Sequence, residues 1–379
     1  MKTLLLIIGL LVLSSGSSCL DSQTILSGQI GAITDATTVS CKPYSTTETD
    51  HQCLLLANPY LNAVKVFDIT DNQFVLSPIA YYPLAIKVGV SPGQIATVKG
   101  RIFTLDSVAK SINEIPASFI SPLNNTETLI GISGNFFALL EDSQKQIWSF
   151  ISSSDNNIKV QVLGQTTSID LALTCSPKFM QLDPSNTYLV AACEDKLFIM
   201  PTQALLKQPI PDPLPVPGIA ANIKSIALDS KLALLGLEDS TLIVVDLATQ
   251  TLDSTAPAKL KANAKAVYIP SSLPGTPSTC CNGEKNWVGA LLTDGTLQYW
   301  PYANKTFSDV KLSQITDLVL TTGTGSFTLT DPLKLIGAQV QNQNQDGLSC
   351  ERRLFLIYSG AIFNTCEGTS NIKRVDQTE

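Results

Sequence analysis

A short apolar run, a polar turn and a second apolar run recur seven times along this chain. The segments are "CLLLANPYLNAVKVFDI" turning near Tyr60, "IATVKGRIFTLD" at Gly100, "FFALLEDSQKQIWSF" near Ser143, "YLVAACEDKLFIM" at Asp195, "LALLGLEDSTLIVVDL" at Asp239, "WVGALLTDGTLQYW" at Asp294-Gly295 and "RRLFLIYSGAIFN" at Ser359-Gly360. Apolar runs of this length bounded by Asp-Gly or Glu-Asp turns predict β-hairpins. Successive turns stand about 40, 43, 52, 44, 55 and 65 residues apart. Outer elements flank the hairpins. "KFMQLDPSNTY", "IKSIALDSK" and "AKAVYIPSS" predict a preceding strand, and "KVQVLG" and "DVKLSQI" a following one.

Four antiparallel strands per repeat of this length are the signature of a propeller blade. The predicted fold is therefore all-β, a seven-bladed β-propeller of four-stranded antiparallel blades. A β-sandwich also uses many short strands, but the regular recurrence of the hairpin favours the propeller. The ring must close, and "TILSGQIGAI" near the N-terminus is placed to add an outer strand to the last blade. "LEDSTLIVVDLATQTL" (Leu237–Leu252) and "LTDGTLQYWPY" (Leu292–Tyr302) resemble WD-repeat and YVTN-type propeller blades, in which the Asp-containing turn is structural. The chain has a single histidine, and Pro301 follows Trp300, so the resemblance is to propellers of that general kind.

The N-terminus changes the picture from fold to address. Lys2, the apolar run Leu4–Leu13 and the small residues Ser14 to Ser18 form a secretory signal peptide. The run is too short to span a bilayer, which takes roughly 20 residues. Two cleavage readings stand side by side: an ordinary cut within the Ser/Gly stretch, or a cut before Cys19 that leaves an acylated cysteine. Gly16-Ser17-Ser18-Cys19 resembles a bacterial lipobox, with Gly16 where Leu is usual. The expected organisation is a signal peptide over 1–18, a lipid-anchored segment over 19–33 that includes the candidate ring-closing strand, and the propeller over 34–379. Charged residues make up only 15% of the chain, with a net charge of −7 and no basic cluster, which argues against a nucleic-acid partner.

Nine cysteines sharpen the address. Partners across an antiparallel hairpin sit equidistant from its turn, close enough for a disulfide. Cys175 and Cys193 centre on Pro184, Cys350 and Cys366 on Tyr358 beside a turn, and Cys41 and Cys53 on Thr47. Cys280 and Cys281 are adjacent and either form a vicinal disulfide or bond elsewhere. Eight cysteines are thus accounted for among themselves, and Cys19, directly behind the signal peptide, is left for lipidation.

Candidate chemistry is sparse. Cys41, His51 and Cys53 lack zinc-finger spacing, and a disulfide is the better reading of the two thiols in an oxidising compartment. His51, in the polar sequence Asp50-His51-Gln52, reads as a solvated surface residue, and no nucleophile elbow accompanies it. Glu141-Asp142, Glu194-Asp195 and Glu238-Asp239 could serve glycoside hydrolysis, but their recurrence at one hairpin position points to turn structure. "NQNQDG" (Asn342–Gly347) begins like a calcium loop, yet Arg353 stands where the bidentate Glu should be, so it reads as a solvated loop. "GTGSF" (Gly323–Phe327) has no helix after it and is not a phosphate loop. Asn124 and Asn304 head glycosylation sequons. "QPIPDPLPVPG" (Gln208–Gly218) is stiff and extended, a rigid crossover or a docking strip.

No catalytic residue, metal site or cofactor is expected. The expectation is an exported, lipid-anchored, non-enzymatic scaffold that binds a protein in the cell envelope, at the outer membrane. It resembles in architecture the propeller lipoprotein of the outer-membrane assembly machinery. A secreted soluble protein, a propeller glycosidase or lactonase, and a small-ligand or polysaccharide binder are the alternatives. The binding surface is expected where the longest insertions fall, Ser271–Asn286 and Thr321–Gly347.

Overall fold

The computed structural model describes residues 33–41, 51–58, 63–69, 73–74, 92–98, 101–106, 112–115, 136–152, 155–207, 209–253, 258–269, 287–294, 296–301, 318–322, 325–329, 334–344, 347–358, 361–366 and 373–375. These form antiparallel sheets that follow one another along the chain. Sheet one orders β1 (Asp35–Cys41), β2 (His51–Asn58), β3 (Ala63–Asp68) and β4 (Gln73–Phe74). Sheet two holds β5 (Pro92–Val98), β6 (Arg101–Asp106) and β7 (Ile112–Ile115). Sheet three runs through β8 (Phe137–Glu141), β9 (Ile147–Ser152), β10 (Asn157–Val162) and β11 (Ser168–Ala172). Sheet four has β12 (Phe179–Leu182), β13 (Tyr188–Cys193) and β14 (Lys196–Pro201), followed by the single-turn helix α1 (Thr202–Leu205).

Sheet five orders β15 (Ile223–Leu228), β16 (Leu232–Leu237), β17 (Thr241–Asp246) and β18 (Thr251–Leu252), with β19 (Ala258–Lys259) also on β17. Sheet six has β20 (Ala264–Tyr268), β21 (Trp287–Leu292) and β22 (Leu297–Pro301). A two-stranded hairpin of β23 (Leu318–Thr322) and β24 (Gly325–Leu329) precedes the last sheet. Sheet seven orders β25 (Lys334–Asn344), β26 (Gly347–Tyr358), β27 (Ala361–Cys366) and β28 (Lys373–Val375).

The strands read as unbroken apolar runs because both faces of a sheet are covered. Along β13, Leu189, Ala191 and Cys193 enter the core shared with sheet three, while Val190 and Ala192 enter the core shared with sheet five. On β14, Phe198 and Met200 face one way and Leu197 and Ile199 the other. The two-residue alternation of a strand thus feeds two cores at once. Sheet six packs closely on Gly236 of sheet five: a Cβ there would come within 2.8 Å of Ala264 Cβ, and within 2.6 Å of Ser225 Oγ on the paired strand β15. Glycine is required there by the close approach of the neighbouring sheet.

The first described strands of neighbouring sheets stand side by side: β1 by β5, β5 by β8, β8 by β12, β15 by β20 and β20 by β25. Sheets four and five meet through a shared core. The last sheet then returns to the first. Ile33, Ala36, Leu54, Leu56, Phe67 and Ile69 form one buried cluster with Phe355 and Ile357 of β26. The Phe67 and Phe355 rings meet edge to face at 5.9 Å, a favoured aromatic geometry. A carboxylate reinforces the next joint: buried Asp35 of β1 accepts the Ile95 N–H of β5 at 3.0 Å.

The structure refines two expectations. All seven hairpins form, but not at one position. Those at Gly100 and Ser143 are the first described hairpins of their sheets, β5–β6 and β8–β9, whereas the other five join second and third strands. This shift of phase contributes to the uneven spacing of the turns. Among the described residues the last strand of sheet seven is β28, paired with β27; the stretch expected to close the ring lies, except for Ile33, outside the described residues.

Candidate functional site

The turns between first and second strands lie at one end of the sheets. Arg101, just past the first turn of sheet two, interacts electrostatically with Glu141 at the end of β8. Asp229, in the first turn of sheet five, senses the charge of Asp183 in the first turn of sheet four. In sheets three to five a carboxylate closes each of these turns on itself. Asp142 Oδ1 accepts the Gln144 and Gln146 N–H groups at 2.8 and 2.9 Å, and its Oδ2 accepts Trp148 Nε1–H at 2.8 Å. Asp183, fully buried, accepts the Ser185 and Tyr188 N–H groups at 2.9 and 2.5 Å and also the Ser185 hydroxyl. Asp229 Oδ1 accepts the Lys231 and Leu232 N–H groups, both at 2.6 Å. Burial pushes the Asp229 carboxyl above its ordinary range, the two N–H donors oppose that shift, and Asp183 adds to it. The sequence reading missed Asp183 and Asp229; the repeated Leu-Asp ahead of a turn, in "LDPSNTY" and "LDSK", is the signal that marks them.

Sheets six, seven and one depart from this pattern at the same end. In sheet six the first connection runs from Tyr268 to Trp287, and most of it, including Cys280 and Cys281, lies outside the described residues. In sheet seven β25 and β26 run far beyond their neighbours. β27 pairs with β26 only as far as Arg353↔Cys366, while β25 and β26 continue for six more rows, from Gln339↔Arg352 to Asn344↔Gly347. Six rows at about 3.4 Å per residue make a two-stranded ribbon about 20 Å long. Of "NQNQDG", Asn342–Asn344 lie in β25 and Gly347 opens β26, with Asn344 opposite Gly347, so Asn342 and Asn344 of the calcium-loop candidate are strand residues; Asp346 lies outside the described residues.

In sheet one the first turn is tied at its base. Cys41 and Cys53 form a disulfide with Cα atoms 5.9 Å apart. The two are diagonal neighbours, since the register sets Cys41 opposite His51 and Val39 opposite Cys53. His51 is not a solvated turn residue. It begins β2, its side chain is 10% exposed, and its Nδ1 lies 2.7 Å from Oδ2 of Asp68, which is fully buried. Asp68 thus accepts from the ring and sets its orientation. The sequence carries no local sign of this pair, because the register of β2 on β3 brings the two together across 17 residues. With both thiols in the disulfide, Cys41, His51 and Cys53 do not make a metal site, and no group of three or more metal-ligating side chains occurs among the described residues.

The remaining sequence candidates sort by position. Cys175 and Cys193 form the second disulfide, Cα atoms 6.0 Å apart. Cys366 stands opposite Arg353, three residues along β26 from Cys350, so that hairpin is centred nearer its Ser359-Gly360 turn than the symmetry argument placed it. Cys19 and the sequons at Asn124 and Asn304 lie outside the described residues. The carboxylate pairs do not share one hairpin position: Glu141-Asp142 is at a first turn, and Glu194-Asp195 and Glu238-Asp239 are at second turns. All the same, their bonds are those of turns. Asp239 takes the Thr241 N–H and hydroxyl at 3.0 and 2.8 Å, and Asp294 takes the Thr296 N–H at 2.9 Å. Glu238 pairs with Lys224 at 3.0 Å and accepts from Asn222 at 2.7 Å. Hydrogen bonding from Thr241 and Lys224 respectively holds the Asp239 and Glu238 carboxyls below their ordinary range.

Antiparallel sheets in chain order, first strands side by side and last sheet against first, define a β-propeller. No protein-family model matches the sequence, and no curated protein is similar to it. Among solved structures, a chain of the BBS1N–ARL6DN complex is similar at 11% identity and a TM-score of 0.46, covering 92% of this chain and 93% of its own. The computationally designed Ika8 protein is similar at 14% identity and a TM-score of 0.45, over 93% of this chain and 89% of that one. The WD40 β-propeller domain of Doa1 is similar at 12% identity and a TM-score of 0.45, over 93% and 96%. The class assigned here rests on the chain's own topology. No helix among the described residues is long and apolar enough to cross a membrane.

Proposed function

We propose that this chain is an exported, non-enzymatic, seven-bladed propeller that serves as a protein-binding scaffold in the cell envelope, anchored at the outer membrane by a lipid on Cys19. Each of the seven sheets counts as one blade and the β23–β24 hairpin as an insertion before the last. The observation that carries the reading is the succession of three adjoining sheets, six, seven and one, whose first connections are all elaborated at one end. A rigid ring that displays loops in this way is a recognition surface. The Cys41–Cys53 and Cys175–Cys193 disulfides suit an oxidising compartment, and in this reading Cys280, Cys281, Cys350 and Cys366 are also disulfide-bonded, Cys350 and Cys366 standing too far apart along β26 to bond to each other.

Two experiments test the proposal. Shortening the ribbon, by joining Gln341 to Cys350 through Asn-Gly, leaves the melting temperature close to that of the parent and abolishes co-purification of the envelope partner; unchanged co-purification contradicts the binding site. Intact mass of the mature protein shows a diacylglycerol and an N-acyl group on residue 19, with eight cysteines inert to alkylation. A mature chain with an unmodified Cys19 removes the anchor. Turnover of glycosides or lactones by the purified chain contradicts the non-enzymatic assignment.

A further inference from the structure

Between α1 and β15 the chain places a proline at every second position, Pro209, Pro211, Pro213, Pro215 and Pro217. Each ring fixes φ near −65°, and each residue ahead of a proline is held out of the helical region. Both constraints are met by polyproline II, which repeats every three residues. Burial along the segment has that period. Ile210 and Pro213 are half-buried and Val216 is buried, while Pro209, Pro211, Asp212, Leu214, Pro215 and Pro217 are all exposed. One face of the three-sided rod therefore rests on the protein, and two face outward.

The resting face is fixed at both ends. Ile210 packs on the core between sheets three and four, and Val216 enters the core between sheets four and five. The Val216 N–H donates to the Leu197 carbonyl at 2.7 Å, and Pro215 bridges Phe198 on the edge of sheet four away from β12. Gly218, at φ +90°, ends the rod in a turn that a side chain would strain, and a Cβ there would meet Leu252 Cδ1 at 2.9 Å. Held in this way, the rod presents Pro211, Leu214 and Pro217 in one outward row, spaced about 9 Å apart at about 3.1 Å per residue. Leu214 is 76% exposed, the one large apolar side chain so exposed among the described residues. A crossover needs the prolines but has no use for a leucine on its outward row.

We infer that Pro209–Pro217 is a rigid polyproline II ligand, displayed on the outer rim for a partner protein whose groove is lined by aromatic side chains. Such grooves take proline and leucine edges between aromatic rings and donate hydrogen bonds to the exposed carbonyls, and the ligand brings almost no conformational entropy to lose. Asp212, on the second outward face, calls for a basic residue beside that groove. The strip is on the rim of sheet four and is independent of the binding surface proposed at sheets six, seven and one.

The test measures binding of the full folded chain to purified proline-reading domains of the SH3, WW and EVH1 types, with decaproline as competitor. At least one domain binds, decaproline displaces it, and Leu214→Ala weakens it about tenfold. Thr251→Ala, on the same rim outside the strip, binds like the parent, and both variants melt with it. No binding by any domain, binding that decaproline leaves intact, or equal affinity of the Leu214→Ala variant overturns the inference.

Discussion

Sheets three to five and sheets six, seven and one solve the same problem at their first turns in opposite ways. In the first arc the chain reverses within a few residues, and Asp142, Asp183 and Asp229 each accept at least two of the turn's own N–H groups. In the second arc the reversal is deferred through a long connection, a 20 Å ribbon and a turn tied at its base by Cys41–Cys53. A carboxylate that saturates its own turn has little left to offer a ligand. Repetition thus marks the self-contained turns, and the proposed binding surface falls where the repetition ends.

The largest effect tests whether the elaborated arc closes the ring. Phe355 and Phe67 are both fully buried in the joint between sheets seven and one. Phe355→Ala is expected to cost about 3–5 kcal/mol in urea unfolding; a loss below 1 kcal/mol would leave the ring open at that joint. At the boundary of the arcs, Gly236→Ala drives a methyl into Ser225 and Ala264 of the facing elements, and costs about 1–3 kcal/mol. A neutral result would mean that sheets five and six stand further apart than described.

Within the regular arc, Asp183→Ala removes the buried acceptor of the part-buried Ser185 and Tyr188 N–H groups and costs about 1–2 kcal/mol, while Asp239→Ala, at an exposed second turn, stays within about 0.5 kcal/mol. Equal costs would erase the distinction between the two kinds of turn. The smallest effect concerns Asp229. Its folded-state pKa is raised, so the native protein is penalised as pH rises through that value and regains stability as pH falls below it. Asp229→Asn keeps an acceptor for both N–H groups without the buried charge. It should be more stable than the parent at neutral pH, with the difference shrinking toward pH 4, and a pH-independent difference would assign the effect to packing instead.

The hairpins were legible in the sequence because a strand buried on both faces has no polar positions to interrupt it. The phase of each hairpin within its sheet was not, since β5–β6 and β16–β17 have the same local pattern and differ only in which neighbours they find. Symmetry about a turn pointed to both disulfides, although neither pair is directly opposed: Cys41 stands two rows from Cys53, and the register of β12 on β13 runs on to position 178 opposite Cys193, three residues from Cys175. His51–Asp68 and Asp35–Ile95 were hidden because both join residues that only strand register or sheet packing brings together. The proline strip showed its stiffness in sequence, but its three-residue burial rhythm needed the surface it lies on.

The comparison between the arcs is tested most directly by site-specific photocrosslinking in the intact cell. A photoreactive residue replaces Asn342 on the ribbon of sheet seven in one variant, and Ser185, in the closed first turn of sheet four, in another. One discrete protein adduct is expected from position 342 and none from position 185. An adduct from position 185 with none from 342 would contradict the comparison.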